Sequence, residues 1–370
     1  MNIPDANFKN ALLNHQPRID IDYDGQIQIS EANNFTGLLY LTGENIADLT
    51  GIEAFVKITN LICDYNQIQA LDLSKNIALT KLNCNQNELT NLDLTKNIAL
   101  KELRCWKNQL TNLDLSKNIA LKFIDCTENQ LTSLDFSKNV SLTNVNCTKN
   151  QLTSIDLTKN SALISLVCSD NLLGSQDLSM NTKLTAIYCN QNQITDLDLS
   201  KNILLKTLNC SSNQLTSLDI SKNPSIQFFY GQNNQLTALN LKNGNNSYLA
   251  LMNAYGNPNL TCIQVDNVAN AASYSGWIKD EAASYNLDCN LSVNDTEKSN
   301  VNIYPNPVKD ILHFSEEVSN VKITDLSGKT VKQISASGKS VNVSTLAKGV
   351  YIITATAKSG KTIIKKIIKE

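Results

Sequence analysis

The sequence has very little histidine: only His15 and His313 occur, and both lie outside the central region. This scarcity excludes histidine-based catalytic triads and histidine-ligated metal sites from that region. No stretch approaches the ~20 apolar residues that a membrane-spanning helix needs. The formal net charge is only −2, and no basic run precedes the C-terminal tail, which argues against a nucleic-acid partner. The N-terminus, Met1-Asn2-Ile3-Pro4, shows no signal peptide, so an exported form is expected to have lost it.

What the sequence has in abundance is an internal repeat. Cysteines recur in steps of 21 residues through the central region, and an asparagine follows each of them three residues later. Repetition at a fixed interval of this size is typical of solenoid proteins. The residues concerned are Cys63, Cys84, Cys105, Cys126, Cys147, Cys168, Cys189 and Cys210, with Asn66, Asn87, Asn108, Asn129, Asn150, Asn171, Asn192 and Asn213.

Each repeat contains two short alternating stretches, such as Leu82-x-Cys84 and Leu92-x-Leu94, and alternation with period two predicts strands. A single coil cannot bury these side chains, but coils stacked about 4.8 Å apart pair their strands in parallel and build a continuous core. From Leu38 to Leu260 the pattern L-x-x-L-x-(C/L)-x-x-N resembles the leucine-rich repeat family, in its bacterial subclass with a nested 21-residue repeat. The resemblance implies a mainly β, right-handed solenoid with one main parallel sheet, and the second half-coil indicates a short strand on the opposite side.

The regular columns inside this solenoid have structural interpretations. The asparagines are expected inside the turn, where each amide satisfies backbone groups of its own coil and the next. Alternation directs the cysteine sulfurs inward beside leucines, which predicts a packing role as small apolar side chains. Disulfides between neighbouring coils and a metal site are the alternatives for this column.

Cys262 and Cys289 break the 21-residue register and lie at the end of the solenoid. A terminal coil leaves its apolar face open, and in an oxidising compartment a disulfide can staple the segment that covers it. The predicted pairing is therefore Cys262 with Cys289. The resemblance to leucine-rich-repeat C-terminal caps agrees with this pairing.

Two further columns are predicted to face outward on the second half-coil. One alternates aspartate with lysine three residues later, as in Asp93 and Lys96, and forms a charge-compensated, solvated face with a cation-binding strip as the alternative. The other is a threonine column, interrupted by Gly174, for which ice binding is the alternative.

The predicted ligand-binding surface consists of the outward positions that flank each cysteine of the main strand, because their residue types change from coil to coil. Trp106 beside Arg104 is the expected anchor at one end, since exposed Trp and Arg are enriched in binding hot spots. Tyr188, Tyr230 and Tyr255 are expected to form a second aromatic row toward the other end. The alternative is that these aromatics are ordinary surface residues.

The segment from Asp20 to Glu31 fits the pattern D-x-D-x-D-G-x-I-x-x-x-E without a mismatch, and it resembles an EF-hand or dockerin-type loop. Calcium prefers six to eight oxygen ligands, and a glycine allows the sharp turn. A structural calcium ion that fixes the N-terminal cap is predicted, and a metal-free turn is the alternative. The expected ligands are the side chains of Asp20, Asp22 and Asp24, the backbone carbonyl of Gln26, Gln28 directly or through water, and both carboxylate oxygens of Glu31.

The calcium-loop pattern is weakened by its flanks. Pro17 interrupts an incoming helix that the sequence predicts from about Asp5 to Asn14, and the residues after Glu31 turn quickly toward a strand.

Short alternating strands and Asn-Pro or Gly turns follow the last cysteine and predict a small Ig-like β-sandwich. The motifs Tyr304-Pro-Asn-Pro307, Asp325-Leu-Ser-Gly328 and Leu346-Ala-Lys-Gly349 resemble the type A C-terminal sorting domain of type IX secretion. The resemblance implies passage through the periplasm by the type IX secretion machinery to the cell surface or the extracellular space. A generic adhesive β-sandwich is the alternative.

The sequence thus predicts a mainly β chain that recognises an unknown protein or glycan outside the cell and is not an enzyme. An extracellular hydrolase with paired carboxylates and an ice-binding protein are the alternatives. The predicted divisions are an N-terminal cap at 1–37, a solenoid at 38–260, a C-terminal cap at 261–291, a linker at 292–300 and a sorting domain at 301–370.

Overall fold

A computed structural model of the chain describes residues 1–289, 301–325, 329–358 and 362–370. The chain divides into two compact units, Met1–Cys289 and Asn290–Glu370. The predicted linker at 292–300 lies outside the described residues. Within the described ranges, no helix is both long enough and apolar enough to cross a membrane.

The first unit begins with a small helical cap. Helix α1 (Ala6–Leu13) starts at Asp5, whose Oδ1 accepts the backbone N–H of Phe8 at 2.9 Å, and this N-cap satisfies one of the unpaired amides of the first turn. The predicted helix from about Asp5 to Asn14 is thereby confirmed. Helix α2 (Ile29–Asn34) follows, and the apolar residues Phe8, Ala11 and Leu12 of α1 are buried in the core of the first unit.

One parallel sheet of twelve strands runs through the first unit. Every strand of this sheet is only two to five residues long, because each 21-residue coil must turn back after one crossing of the sheet. In order across the sheet the strands are β1 (Gly37–Tyr40), β2 (Ile58–Ile62), β3 (Lys81–Asn83), β4 (Glu102–Arg104), β5 (Phe123–Asp125), β6 (Asn144–Asn146), β7 (Ser165–Val167), β8 (Ala186–Tyr188), β9 (Thr207–Asn209), β11 (Phe228–Tyr230), β13 (Leu251–Asn253) and β15 (Trp277–Ile278).

The core of the solenoid is built from the inward positions that the repeat predicts. In the coil around Cys84, the residues Leu79, Leu82, Leu89 and Leu94 are all at most 1% exposed. The same positions in the neighbouring coils join them in one continuous apolar cluster, which extends from the N-terminal cap to the C-terminal cap. Burying a leucine side chain stabilises the fold by about 1.5–3 kcal/mol, so the stacked coils supply the stability that no isolated coil has.

A second, four-stranded parallel sheet lies on the opposite side, but only at the C-terminal end of the solenoid. Its strands are β10 (Ser217–Asp219), β12 (Ala238–Asn240), β14 (Cys262–Gln264) and β16 (Ser284–Asn286). In the earlier coils, the Leu-Asp-Leu stretches pair only once, through the isolated bridge between Asp135 and Asp156. The predicted short strand on the opposite side is therefore confirmed for the last coils alone.

The predicted asparagine column lies inside the turns. Asn108 donates from Nδ2 to the carbonyl oxygens of Cys84 and Cys105 and accepts the backbone N–H of Leu89 at 3.0 Å, so it bonds to its own coil and to the one before. A second asparagine column, which the sequence analysis did not single out, follows the Asp-Leu stretch at the same 21-residue interval. Asn97 in this column is fully buried and donates to the carbonyl oxygens of Leu73 and Asn76.

The C-terminal end of the solenoid is closed by a cap that contains helix α3 (Val268–Ser273), β15 and β16. Trp277 is buried at the start of β15, and its Nε1 donates to the carbonyl oxygen of Leu249 at 2.8 Å. The predicted disulfide between Cys262 and Cys289 is confirmed, with Cα atoms 5.7 Å apart. It ties the last described residue of this unit to β14.

The second unit is an antiparallel β domain, as predicted. Its strands are β17 (Ile303–Tyr304), β18 (Ile311–Thr324), β19 (Thr330–Ile334), β20 (Gly338–Asn342), β21 (Gly349–Ala357) and β22 (Thr362–Lys369). Phe314, Val321 and Ile353 lie in its separate core. The hydrogen bonds join all six strands through the long strand β18, which pairs with β17, β19, β20 and β21 along its length.

Candidate functional site

The outward side of the main sheet carries the predicted binding residues, and three positions of each coil contribute to it. The middle residue of each short strand points into the core, so the residues on either side of it point outward. The residue after the cysteine position is partly exposed at Trp106 and exposed at Tyr255, but it is buried at Asp64, Asn85, Ser169 and Ser211. We call these three positions, in the coils from Cys63 to Ala254, the sheet face. The sequence analysis identified only the two positions beside the cysteine and missed the first residue of each strand.

Trp106 makes an aromatic contact that the sequence did not predict. Its ring packs edge to face against the exposed ring of Tyr65, with ring centroids 6.2 Å apart, although the two residues are not in adjacent coils. The backbone N–H of Trp106 donates to Asn85 Oδ1 of the intervening coil at 2.9 Å. Both contacts restrict the position of the indole ring and leave part of it open to solvent.

Arg104 is fixed by two neighbours on the sheet face. Its Nε lies 2.9 Å from Glu102 Oε1, and its guanidinium carbon lies 4.5 Å from the centre of the Phe123 ring. Glu102 also pairs with Lys81 at 3.2 Å. Burial opposes ionisation of Glu102, but the hydrogen bonds and charges of Arg104 and Lys81 lower its pKa below the ordinary value. The group is therefore ionised at neutral pH.

The three tyrosines at the other end of the sheet face do not lie in one row. Strand register places Asn209 between Tyr188 and Tyr230, so these two share a column but lie two coils apart. Tyr255 follows Ala254 and therefore belongs to the neighbouring column. The expected aromatic row is corrected to a staggered set, because strand order interposes an asparagine and because Tyr255 follows the inward position rather than preceding it.

The aspartate column of the second half-coil has a local structural role. A polar depression of about 350 Å³ lies on this side and includes Asp72 and Asp93 among its lining residues. A backbone N–H two residues ahead, that of Ser74 or Thr95, donates to each carboxylate at 2.9 Å. These hydrogen bonds lower the pKa of both aspartates. Two ionised carboxylates do not provide the proton that a general acid must donate.

The eight cysteines of the repeat are free thiols, and each is at most 3% exposed. Burial raises the pKa of every one of them, that of Cys84 and of Cys189 to about 12. A neutral thiol is neither a good nucleophile nor a metal ligand. The predicted packing role is therefore confirmed, and the alternative of disulfides between coils is excluded for this structure.

The predicted calcium loop brings three carboxylates together. One oxygen from each of Asp20, Asp22 and Asp24 lies within 4.8 Å of the others. A hydrogen bond from the Asp24 backbone opposes the effect, but desolvation and the negative charges of Asp24, Glu31 and Asp20 raise the pKa of Asp22 above its ordinary value. A divalent cation would relieve this crowding of negative charge.

Glu31 and Gln28 complete the loop in different ways. The Glu31 carboxylate lies outside the group of three, and its two oxygens accept the backbone N–H groups of Ile21 and Gln28 at 2.6 and 2.9 Å. Gln28 donates from Nε2 to Asp24 Oδ2, whereas its Oε1 is shielded from solvent and accepts no hydrogen bond from the described residues. An unpartnered buried oxygen beside three carboxylates fits a hard cation that takes oxygen ligands. The side-chain Oε1 of Gln26 accepts a hydrogen bond from Lys9 and is therefore engaged elsewhere. This agrees with the expectation that Gln26 would offer only its backbone carbonyl to the ion.

Comparison with known proteins identifies the C-terminal part of the chain. Residues 302–370 match the family described as the secretion system C-terminal sorting domain. This type IX sorting domain indicates export to the cell surface or the extracellular space. No curated protein matches the chain in sequence.

Several solved structures are similar to this chain. The functional domain of InlJ from Listeria monocytogenes, described as including a cysteine ladder, is 21% identical with a TM-score of 0.48, and the match covers 93% of this chain and 92% of that one. The internalin InlF of the same organism is 21% identical with a TM-score of 0.44, over 75% of this chain and 95% of that one. A TDR receptor is 18% identical with a TM-score of 0.50, over 62% of this chain and 45% of that one. The first unit is a leucine-rich-repeat solenoid.

Proposed function

We propose that this exported chain is a recognition and adhesion protein that binds a protein or a glycan on its sheet face and has no enzymatic activity. The observation that carries the proposal is the contrast between the two sides of each main strand. Cysteine occupies the same inward position in eight consecutive coils, from Cys63 to Cys210. The outward position that precedes this inward position is partly exposed and changes from each coil to the next, through Ile62, Asn83, Arg104, Asp125, Asn146, Val167, Tyr188, Asn209, Tyr230 and Asn253.

Packing requirements account for the uniform interior but place no such demand on the outward side chains. Core positions must fill a fixed volume at high density, so one residue type recurs where the coils are equivalent. Outward positions are free to differ, and a varied, rigidly supported surface is what recognition of one particular partner requires. The aromatic and arginine side chains on this surface, with Trp106 and Arg104 at one end, belong to the types enriched in binding hot spots.

The C-terminal sorting domain supports a role outside the cell, because it directs the solenoid to the location where extracellular partners are met. The hydrolase alternative has less support, since Asp72 and Asp93 are both held ionised by backbone hydrogen bonds. The ice-binding alternative also has less support, because the exposed threonine column runs beside charged aspartates and is interrupted at Gly174.

The test of the proposed function is an array of extracellular proteins and glycans probed with the full-length chain. Trp106→Ala and Tyr188→Ala are expected to weaken binding to the partners that the array identifies. Tyr248→Ala is the matched control, because Tyr248 is an exposed aromatic residue in a short 3-10 helix (Asn246–Tyr248) outside the sheet face. Binding that survives both sheet-face substitutions would show that the partner uses another surface.

We also propose that the loop of the N-terminal cap binds calcium in a structural role. The side chains of Asp20, Asp22 and Asp24 would hold the ion with the carbonyl of Gln26 and the side chain of Gln28. Glu31 would contribute only after its carboxylate released the backbone N–H groups of Ile21 and Gln28. The bound cation would neutralise the crowded carboxylates and thereby stiffen the cap that covers the first coil.

A further inference from the structure

The guanidinium group of Arg104 is oriented before any partner arrives. Glu102 binds its Nε, and the ring of Phe123 supports its flat side. Among the residues that the structure describes, none accepts a hydrogen bond from the two terminal nitrogens, and the side chain is 41% exposed. These nitrogens form the fork that binds a carboxylate through two parallel hydrogen bonds.

The surroundings of Arg104 carry an excess of positive charge. Lys101 and Lys122 are exposed beside the same strands, and neither takes part in an ion pair with another described residue. Asp125 is the acidic residue opposite Arg104 in the strand register, and its Oδ1 already accepts the backbone N–H and the hydroxyl of Thr127. Glu102 is shared between Arg104 and Lys81. An anionic ligand is therefore complementary to this part of the sheet face.

The polar groups nearby favour a peptide over a sugar. A glycan needs several acceptors and donors for its hydroxyl groups, but the two asparagine amide oxygens beside Arg104 already accept hydrogen bonds. Asn83 Oδ1 accepts the backbone N–H of Asn85, and Asn85 Oδ1 accepts that of Trp106. What remains open is the partly exposed indole of Trp106 with the exposed ring of Tyr65 against it, a surface that suits an apolar side chain.

We infer that Arg104 binds a carboxylate in an acidic peptide segment of the partner protein while Trp106 contacts an adjacent apolar side chain of that segment. The inference rests on the proposed function and specifies the partner at one end of the sheet face. Lys101 and Lys122 add attraction that depends on ionic strength, whereas the paired hydrogen bonds of the guanidinium supply the geometric selectivity.

The probe for this inference is a fluorescein-labelled octapeptide of alternating glutamate and leucine, titrated with the full-length chain and followed by fluorescence anisotropy. The matched neutral probe replaces each glutamate with glutamine, and labelled tetragalacturonate is the acidic glycan probe. The acidic peptide is expected to bind at least about tenfold more tightly than the neutral peptide, because a charge-assisted bidentate pair exceeds the ~1.4 kcal/mol that a tenfold change requires. Its affinity should fall as the salt concentration rises.

Variants separate the geometry of the guanidinium from its charge. Arg104→Lys keeps the positive charge but loses the fork, and about tenfold weaker binding of the acidic peptide is expected. Arg104→Gln should weaken it at least as much. Arg18→Lys is the matched control with unchanged affinity, because Arg18 also lies over an aromatic ring, that of Tyr23 at 4.3 Å, but belongs to the N-terminal cap. Circular dichroism checks that each variant remains folded.

The inference is overturned if the neutral peptide binds equally well, if the acidic peptide does not bind, or if Arg104→Lys leaves its affinity unchanged. Tighter binding of tetragalacturonate than of the acidic peptide would also overturn it and would assign the site to a glycan. Failure here is distinguishable from failure of the proposed function. Array partners that need Trp106 but tolerate Arg104→Lys would leave the recognition role intact and remove only the carboxylate anchor.

Discussion

Asn108 accepts the backbone N–H of Leu89 from the preceding coil at 3.0 Å and donates to carbonyl oxygens of both coils. This one side chain therefore joins two turns of the solenoid and satisfies backbone groups that no strand pairs. Repeated in every coil, the same contact sets the spacing of the main sheet and thus holds the sheet face in a fixed shape.

Replacing Asn108 with alanine should lower the free energy of unfolding by about 3 kcal/mol, because it leaves the buried backbone N–H of Leu89 without a partner, at about 1–3 kcal/mol, and removes two further hydrogen bonds to carbonyl oxygens. Urea denaturation measures this loss. Asn112→Ala is the control, since Asn112 is exposed four residues later and its removal should change stability by less than about 0.5 kcal/mol. Equal effects of the two substitutions would contradict the bridging role.

The buried thiols predict loss of stability at alkaline pH. Burial raises the pKa of Cys84 from 9.0 to about 12 in the folded protein. The neutral thiol stabilises the fold fully below the pKa of the unfolded chain, and this contribution is lost as the pH rises toward 12, because the unfolded state releases the proton first. The urea concentration at the unfolding midpoint should therefore decrease as the pH is raised from 8 to 10.5.

A single-site variant isolates this effect from other groups that titrate at high pH. Cys84→Ala should lose less stability than the parent chain over the same interval, by up to about 1.4 kcal/mol per pH unit above the pKa of the free thiol. If both proteins lost stability in parallel, Cys84 would not be held neutral by burial.

The disulfide of the C-terminal cap should stabilise the end of the solenoid. Replacing both Cys262 and Cys289 with serine is expected to cost about 2–4 kcal/mol, since the bond restricts the unfolded chain across a separation of 27 residues. The temperature of the thermal transition should fall, and the fluorescence of buried Trp277 should change at a lower temperature than the fluorescence of the remaining chain. Reduction of the parent protein is the control and should give a similar loss, because its other cysteines are already free thiols. An unchanged transition would show that the cap is stable without the bond.

Calcium should raise the thermal transition of the chain by a few degrees relative to the same protein in chelator, because a ligand that binds only the folded state stabilises it. Asp22→Asn should abolish most of the difference, since Asp22 is one of the three clustered carboxylates. Asp196→Asn, at an exposed position of the solenoid, should preserve it. Identical melting curves of the parent chain with calcium and with chelator would exclude the proposed site.

The sequence predicted the solenoid, its main sheet, the inward cysteines and the disulfide of Cys262 with Cys289, because a strict 21-residue repeat leaves little freedom for the core. The second asparagine column, with Asn97 as an example, shares this interval and was visible in the sequence, but it does not follow the cysteines from which the register was read. A 21-residue repeat can therefore contain further columns of one residue type besides those read from the cysteines.

Contacts between non-adjacent coils could not be predicted. Tyr65 lies in the turn after the strand with a positive φ of 57°, as the residue at the same place in the following coils also does, and its ring contacts Trp106 two coils along the solenoid. The pattern that predicted Glu31 as a calcium ligand likewise gave no sign that its oxygens accept backbone N–H groups of the loop. Periodicity defines which side of the strand a residue occupies, but rotamers and local hydrogen bonds decide what it contacts.

Hydroxyl-radical footprinting of the full-length chain, alone and bound to a partner found by the array, tests the central claim most directly. The proposed recognition surface predicts that binding lowers the labelling of Trp106, Tyr188 or Tyr230 and leaves the exposed Tyr248 unchanged. Unchanged labelling of all three sheet-face residues, with protection of Tyr248 or of the aspartate side of the solenoid, would contradict it.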